Sequence, residues 1–316
     1  MLRLPDDWVW DSWLADDGER YHLFFLRAPR WLGEPHLRHT AARIGHATSS
    51  DLVSWEVCAD ALAPVAGRWD DLALWTGSVA RGDDGVWRLY YSALSTARGL
   101  GVLDQRIGMA ESDDLFTWRR AGDRPLIAPD PRWYVTLDVG ASDTWRDPFV
   151  FKDPAGDGWH MLITARAAGA PRFFDGVVGH ARSADMVTWE VQPPNCRPGA
   201  AGFGELEVSQ VRVVDGRPLL LFTCHPDQQS ADQVTAFGRF CTWSVAGDSL
   251  TGPWDLCDAR PFRAEPTLCA APLVRRRDGD WVLLGFRNVE PDAPARLEIV
   301  DPIPVAVRDG ELIDLR

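Results

Sequence analysis

The chain has 316 residues, 33 Lys plus Arg against 46 Asp plus Glu, and a formal net charge of −13. The length fits one large domain or two ordinary ones, and 46% hydrophobic residues is enough for a sizeable core. The acidity argues against a basic face for nucleic acid or an anionic membrane, and no run of apolar residues is long enough for a transmembrane helix. The opening Met1-Leu-Arg-Leu-Pro-Asp-Asp7 lacks the apolar run of a signal peptide. The expectation is a cytoplasmic protein, or a secreted one if a leader has been removed. Six cysteines at positions 58, 196, 224, 241, 257 and 269 form no CxxC pair, so they read as buried thiols and not as a metal site.

Tryptophan is the informative excess, at sixteen residues, and many recur at regular intervals. In chain order, Trp8-Val-Trp-Asp-Ser-Trp13 precedes Asp17-Gly18, the run YHLFFL and Ser49–Trp55. Leu74-Trp-Thr-Gly-Ser78 precedes Asp84-Gly85, the run WRLYYSA and Ser112–Trp118. Trp145-Arg-Asp-Pro148 precedes Asp157-Gly158, the run WHMLITA and Ser183–Trp189. Gly204-Glu-Leu-Glu-Val208 precedes Asp215-Gly216, the run PLLLFTC and the degenerate Ser249-Leu-Thr-Gly-Pro-Trp254. Leu268-Cys-Ala-Ala-Pro272 precedes Asp278-Gly279 and the run WVLLGF.

Asp-Gly between two such runs signals a hairpin, because a type I′ turn needs positive φ at both central residues. Five hairpins at intervals of 58 to 73 residues leave room for four short strands each. The predicted fold is all-β: one five-bladed β-propeller over residues 1–316, with four-stranded blades around a central funnel. A pair of two-sheet sandwiches would not explain the alternation of hairpin and Ser-x-Asp-(Leu/Met)-x-x-Trp motif. The motif tryptophans are expected to pack between blades.

The first strand of each blade lines the channel. Three of these strands carry a carboxylate at what reads as one equivalent position: Asp11, Asp147 and Glu207. Like charges converging in a desolvated funnel raise at least one pKa, which suits an acid and a base better than it suits stability. Glu205 alternates with Glu207 and faces the same side. Trp10 and Trp75 fall on the same inner strands, and an indole beside carboxylates suits the apolar face of a sugar ring. The pattern predicts a small-carbohydrate site with no cofactor and no metal. His36-Leu-Arg-His39 has helical metal-ligand spacing without a third ligand and reads as loop, and Arg275-Arg-Arg277 reads as a solvated face.

The strings Val9-Trp-Asp-Ser-Trp13, Trp75-Thr-Gly-Ser78, Arg146-Asp-Pro148 and Glu205-Leu-Glu207 resemble the signature strands of levansucrases (glycoside hydrolase family 68) and of the related invertase family. Ser249–Trp254 is similar to a fourth-blade segment of these propellers. The resemblance implies a retaining furanosidase. In it, the residue matching Asp11 is the nucleophile, that matching Asp147 stabilises the transition state, and that matching Glu207 is the acid and then the base. Residues matching Trp10, Trp75, Thr76, Arg146 and Glu205 would hold the sugar, and His225 in Cys224-His-Pro-Asp227 would face the acceptor. Gly204 stands where many levansucrases have a calcium-binding aspartate, so no calcium is expected. The implied activity is cleavage or transfer of a sucrose-like β-fructofuranoside. The alternatives are an arabinanase-like inverting furanosidase and a non-catalytic sugar-binding propeller.

Overall fold

The computed structural model describes the chain apart from residues 98, 100–101, 138–143, 154, 157, 200 and 289–295. Five four-stranded antiparallel sheets follow one another along the chain, each with its first strand innermost. The inner strands are Asp7–Asp16, Ala73–Arg81, Trp145–Lys152, Glu207–Val214 and Leu273–Arg275. In blade five a short Leu268–Cys269 strand precedes the inner strand and pairs with Phe286–Arg287. This is the predicted five-bladed propeller. Among the described residues, no helix is long and apolar enough to cross a membrane.

The Ser-x-Asp motif is a folding signal in its own right. Asp51, Asp114 and Asp185 each accept backbone N–H bonds from the second and third residues after them. Ser49, Ser112 and Ser183 receive the N–H of Leu52, Leu115 and Met186. These three residues take positive φ, near 65°, which drives their side chains into the core. The Trp that follows covers the neighbouring blade. Trp118 meets Phe24 of blade one edge-on at 5.6 Å, and Trp189 meets Tyr90 of blade two at 5.7 Å. Trp254 donates its backbone N–H to Asn195, in the connection leaving blade three.

The hairpins form where expected, with different turn chemistry. Asp157 of the third pair lies outside the described residues. Among the described pairs, blade four alone has positive φ at both residues, Asp215 and Gly216, as type I′ requires. In blades one, two and five only the glycine is left-handed. Blades two and five close three-residue loops, with Gly85 and Gly279 bonded back to Gly82 and Arg276. One extra residue lets an ordinary turn precede a left-handed glycine, so the aspartate needs no positive φ.

A further expectation is corrected. Cys196 and Cys224 are buried thiols, but Cys58 is half-buried, Cys257 is exposed, and Cys241 and Cys269 form a disulfide. The packing of blade four on blade five brings their Cα atoms to 5.1 Å, within disulfide reach, although 28 residues separate them in sequence. Arg275–Arg277 form a solvated face as expected, and Arg277 is engaged there. It pairs with Asp16 and its backbone N–H reaches the Tyr21 hydroxyl, tying blade five to blade one. Beside it, Leu2 and Ile299 exchange both backbone hydrogen bonds and complete the ring.

Blades one and three contain matching buried relays. His22 bridges Asp17 and His46, and His160 bridges Asp153 and His180, at 2.9–3.1 Å throughout. Burial, and then the neighbouring His22, lowers His46 to about 4. A histidine held below its unfolded value of about 6.5 favours the neutral form on folding. Its contribution is complete above pH 6.5 and is lost as pH falls toward 4. His46→Gln cannot titrate there, so its melting temperature should fall less between pH 7 and pH 4 than that of the parent. Calorimetry across that range checks this, and parallel declines would refute it.

Candidate active site

Each of the first four inner strands breaks its ladder at the same height. Register shifts fall between Trp10 and Ser12, between Trp75 and Gly77, around Asp147, and between Glu207 and Gln210. Asp11, Asp147 and Val208 take φ of 25°, 57° and 50° there, and Ala270 of blade five takes 43°. A bulge bends the strand and re-aims the extra side chain. Left-handed φ at a non-glycine residue costs about 1–3 kcal/mol, so packing must hold it. Gly77 follows the Thr76 bulge, and a Cβ there would run into the Tyr90 backbone carbonyl.

Hydroxyls on the second strands hold these bulges. Ser92 donates to the Thr76 carbonyl and accepts the Asp147 N–H of the next blade at 2.7 Å. The Thr164 hydroxyl lies 2.9 Å from Asp147 Oδ2 and 3.0 Å from the Leu206 carbonyl of the next blade. Thr223 accepts the Ala270 N–H of blade five at 2.9 Å. The bulges also correct the expected equivalence. Asp11 and Asp147 share a position with Thr76, whereas Glu207 pairs with Thr223 as Trp10, Trp75 and Arg146 pair with Leu26, Ser92 and Thr164. Glu207 therefore stands one residue earlier and still reaches the same funnel.

The funnel holds a cavity of about 530 Å³, lined by every predicted site residue: Trp10, Asp11, Trp75, Thr76, Arg146, Asp147, Glu205, Glu207 and His225. Arg146 is its hub. Nη2 donates to Glu205 and Glu207 at 2.5 Å each, Nη1 donates to Gln105 at 3.2 Å, and Nε lies 3.4 Å from Asp147. Thr76 donates to Asp11. Asp147 also accepts the Val208 N–H at 3.3 Å. Among the described residues no three His, Cys, Asp or Glu side chains are grouped as a metal site.

Burial sets the ionisation. It pushes Asp11 up to about 6 against the Thr76 hydrogen bond, with Glu207 adding to the rise. It pushes Asp147 up to about 6 against the Arg146 charge. Glu207 goes up to about 7, by burial opposed by Arg146 and reinforced by Glu205 and Asp147. Burial would raise Glu205 as well, but the Arg146 charge and hydrogen bond bring it below the usual range. Two adjacent glutamates on one guanidinium are thus divided into an ionised partner and a proton holder.

The aromatic wall is built by a loop that sequence reasoning set aside. The Trp75 indole N–H donates to the His39 carbonyl at 2.7 Å, and the His39 ring sits edge-on to Trp10 and Trp75 at 6.2 and 6.1 Å. The Arg38 guanidinium lies 5.3 Å from the Trp10 ring centroid. Both loop residues line the cavity and have no counterpart in the repeats. Ser92, Thr164 and Thr223 were also missed. Their signal was a hydroxyl residue near the end of an otherwise apolar run, in YYS, LIT and LFT. His225 stands on the rim, 41% exposed, and its Nδ1 accepts the Asp227 N–H at 3.3 Å.

The sequence profile of the glycosyl hydrolases family 32 N-terminal domain matches residues 13–176, just over half of the chain. The chain belongs to glycosyl hydrolases family 32. This family-32 chain is 32% identical over 161 residues to a levanase of Bacillus sp. (strain L7), covering 47% of the chain and 15% of that protein. It is 33% identical over 147 residues to beta-fructofuranosidase, insoluble isoenzyme 6, of Oryza sativa subsp. japonica, covering 46% and 22%. The chain therefore aligns with less than a quarter of the length of either relative. The structure of an inulosucrase from Halalkalicoccus jeotgali bound to kestose superposes with a TM-score of 0.77 at 22% identity, over 98% of this chain and 87% of that one. At that identity the likeness concerns the fold.

The division of labour on Arg146 is testable without any substrate. Glu205→Gln removes a charge that raises Glu207 and leaves Arg146 more available to it. The Glu207 carboxyl should then titrate at lower pH, read by ¹³C NMR on glutamate-labelled protein. An unchanged titration would mean that Glu205 does not set it.

Proposed function

We propose that the chain is a retaining glycosidase or transglycosylase acting on a sucrose-like β-fructofuranoside. The observation that carries this reading is the convergence of Asp11, Asp147 and Glu207, all above the ordinary carboxylate range, on one cavity walled by two indoles. Family membership supports it.

In the first step Asp11, ionised above about pH 6, attacks the anomeric carbon, and the C–O bond to the leaving group breaks. Glu207, protonated below about pH 7, gives its proton to the departing oxygen. Asp147, held by Thr164 and the Val208 N–H, accepts hydrogen bonds from sugar hydroxyls that strengthen as positive charge develops. Arg146 fixes Glu207 at the bond to be broken. In the second step ionised Glu207 takes a proton from water or an acceptor hydroxyl, whose oxygen displaces Asp11 from the sugar. Water gives hydrolysis and a sugar gives transfer.

Activity requires Asp11 without its proton and Glu207 with one. The rate therefore rises with pH through about 6 and falls above about 7, giving a narrow bell. Glu207→Gln should lower turnover of sucrose by roughly 10²–10⁴-fold. A fructoside with an activated leaving group should lose less in its first step. Glu207→Ala with that activated fructoside should accumulate a sugar ester on Asp11, detected by rapid-quench mass spectrometry. No ester together with an inverted first product would overturn the mechanism.

A further inference from the structure

The segment Pro35–Thr40, between the second and third strands of blade one, carries a cation that the mechanism above does not use. Arg38 is only 9% exposed, yet it lines the catalytic cavity together with Asp11. Its Nη1 donates to the Pro35 carbonyl at 2.9 Å, its guanidinium lies against the Trp10 ring, and its Nε is buried without an acceptor among the described residues. Among the described residues no carboxylate is in ion-pair contact with it. A buried guanidinium left in that condition is expensive unless a charge nearby offsets it.

The charges of the cavity indicate which one. Arg146 already serves Glu205, Glu207 and Asp147. Asp11 is the remaining lining carboxylate of the catalytic set, and among the described residues the Thr76 hydroxyl is its one hydrogen-bonding side chain. The groups whose charge reaches Asp11 are Glu207, Asp147, Arg146 and Arg38. Those reaching Arg38 or reached by it are Asp11, His39 and His225, and both histidines are neutral near pH 7 because burial lowers them. Among the described residues, Arg38 is thus the one arginine lining the cavity that is not already engaged by carboxylates.

We propose that Arg38 is a positioning residue for the nucleophile: its guanidinium is the counter-charge of Asp11 and the brace of the Trp10 indole. The proposal rests on the reading of Asp11 as nucleophile. Ionised Asp11 and charged Arg38 stabilise each other across the cavity, and the same guanidinium holds the wall against which the sugar ring stacks.

Arg38→Met keeps an apolar stem over Trp10 and removes the charge, and Arg38→Lys keeps the charge. In Arg38→Met the acid limb of kcat/KM for sucrose should move up by about one pH unit, with about a fivefold loss at pH 6. Compared with the parent at the same pH, the loss should shrink to less than about twofold by pH 7. Arg38→Lys should leave the limb near its original place. An acid limb unmoved in folded Arg38→Met would overturn the proposal. So would loss of folding in both Arg38→Met and Arg38→Gln, which would make Arg38 structural. Failure of the Asp11 assignment looks different: with Arg38 intact, no sugar ester forms on Asp11 in Glu207→Ala.

Discussion

One guanidinium carries the site. Four carboxylates around one buried cavity repel each other, and three of them are within bonding or ion-pair distance of Arg146. Arg146 also donates to Gln105, which lies in the connection between the second and third strands of blade two, and it reaches Glu205 and Glu207 at the start of blade four. The contact that makes the charge cluster tolerable therefore ties together three consecutive blades. Arginine suits this place because its planar fork serves several acceptors at once and stays charged. The same contact separates two adjacent glutamates chemically, so that one holds a negative charge and the other a proton.

The bulges supply the aim. A regular inner strand would alternate its side chains between the two flanking blades. An extra residue at one height turns a side chain toward the axis in blade after blade. The strained backbone is held by hydroxyls that bond both their own blade and the next. Strain, site and blade-to-blade docking are thus satisfied by one set of side chains, which makes this ring of polar contacts part of the core.

Much of this was legible in the sequence. The Asp-Gly pairs and the Ser-x-Asp motifs act through local hydrogen bonds, so they report their structure directly, and the inner strands followed from their spacing. Other features depend on contacts between distant segments. The offset of Glu207 arises because bulges add residues that linear counting cannot see. Arg38 and His39 reach the funnel from a loop with no repeat signature. The Cys241–Cys269 bond follows from blade packing and not from cysteine spacing. The histidine relays were hidden because each joins residues on neighbouring strands, although the short strings Gly45-His-Ala47 and Gly179-His-Ala181 recur.

The ring is closed without sharing a strand between its first and last blades. Each sheet is built from its own stretch of chain, and the final seam is made by the Leu2–Ile299 bridge, the Val9 N–H to Leu297 bond and the Arg277 contacts. That seam has the strand of Asp11 on one side and, on the other, a blade that among the described residues brings no carboxylate to the cavity. Opening of this seam would break contacts between blades one and five and none of the Arg146 contacts, which join blades two to four. The Arg146 contacts therefore stand apart from the place where the ring closes, while Asp11 lies on the strand that borders that closure and is tied to blade two through Thr76.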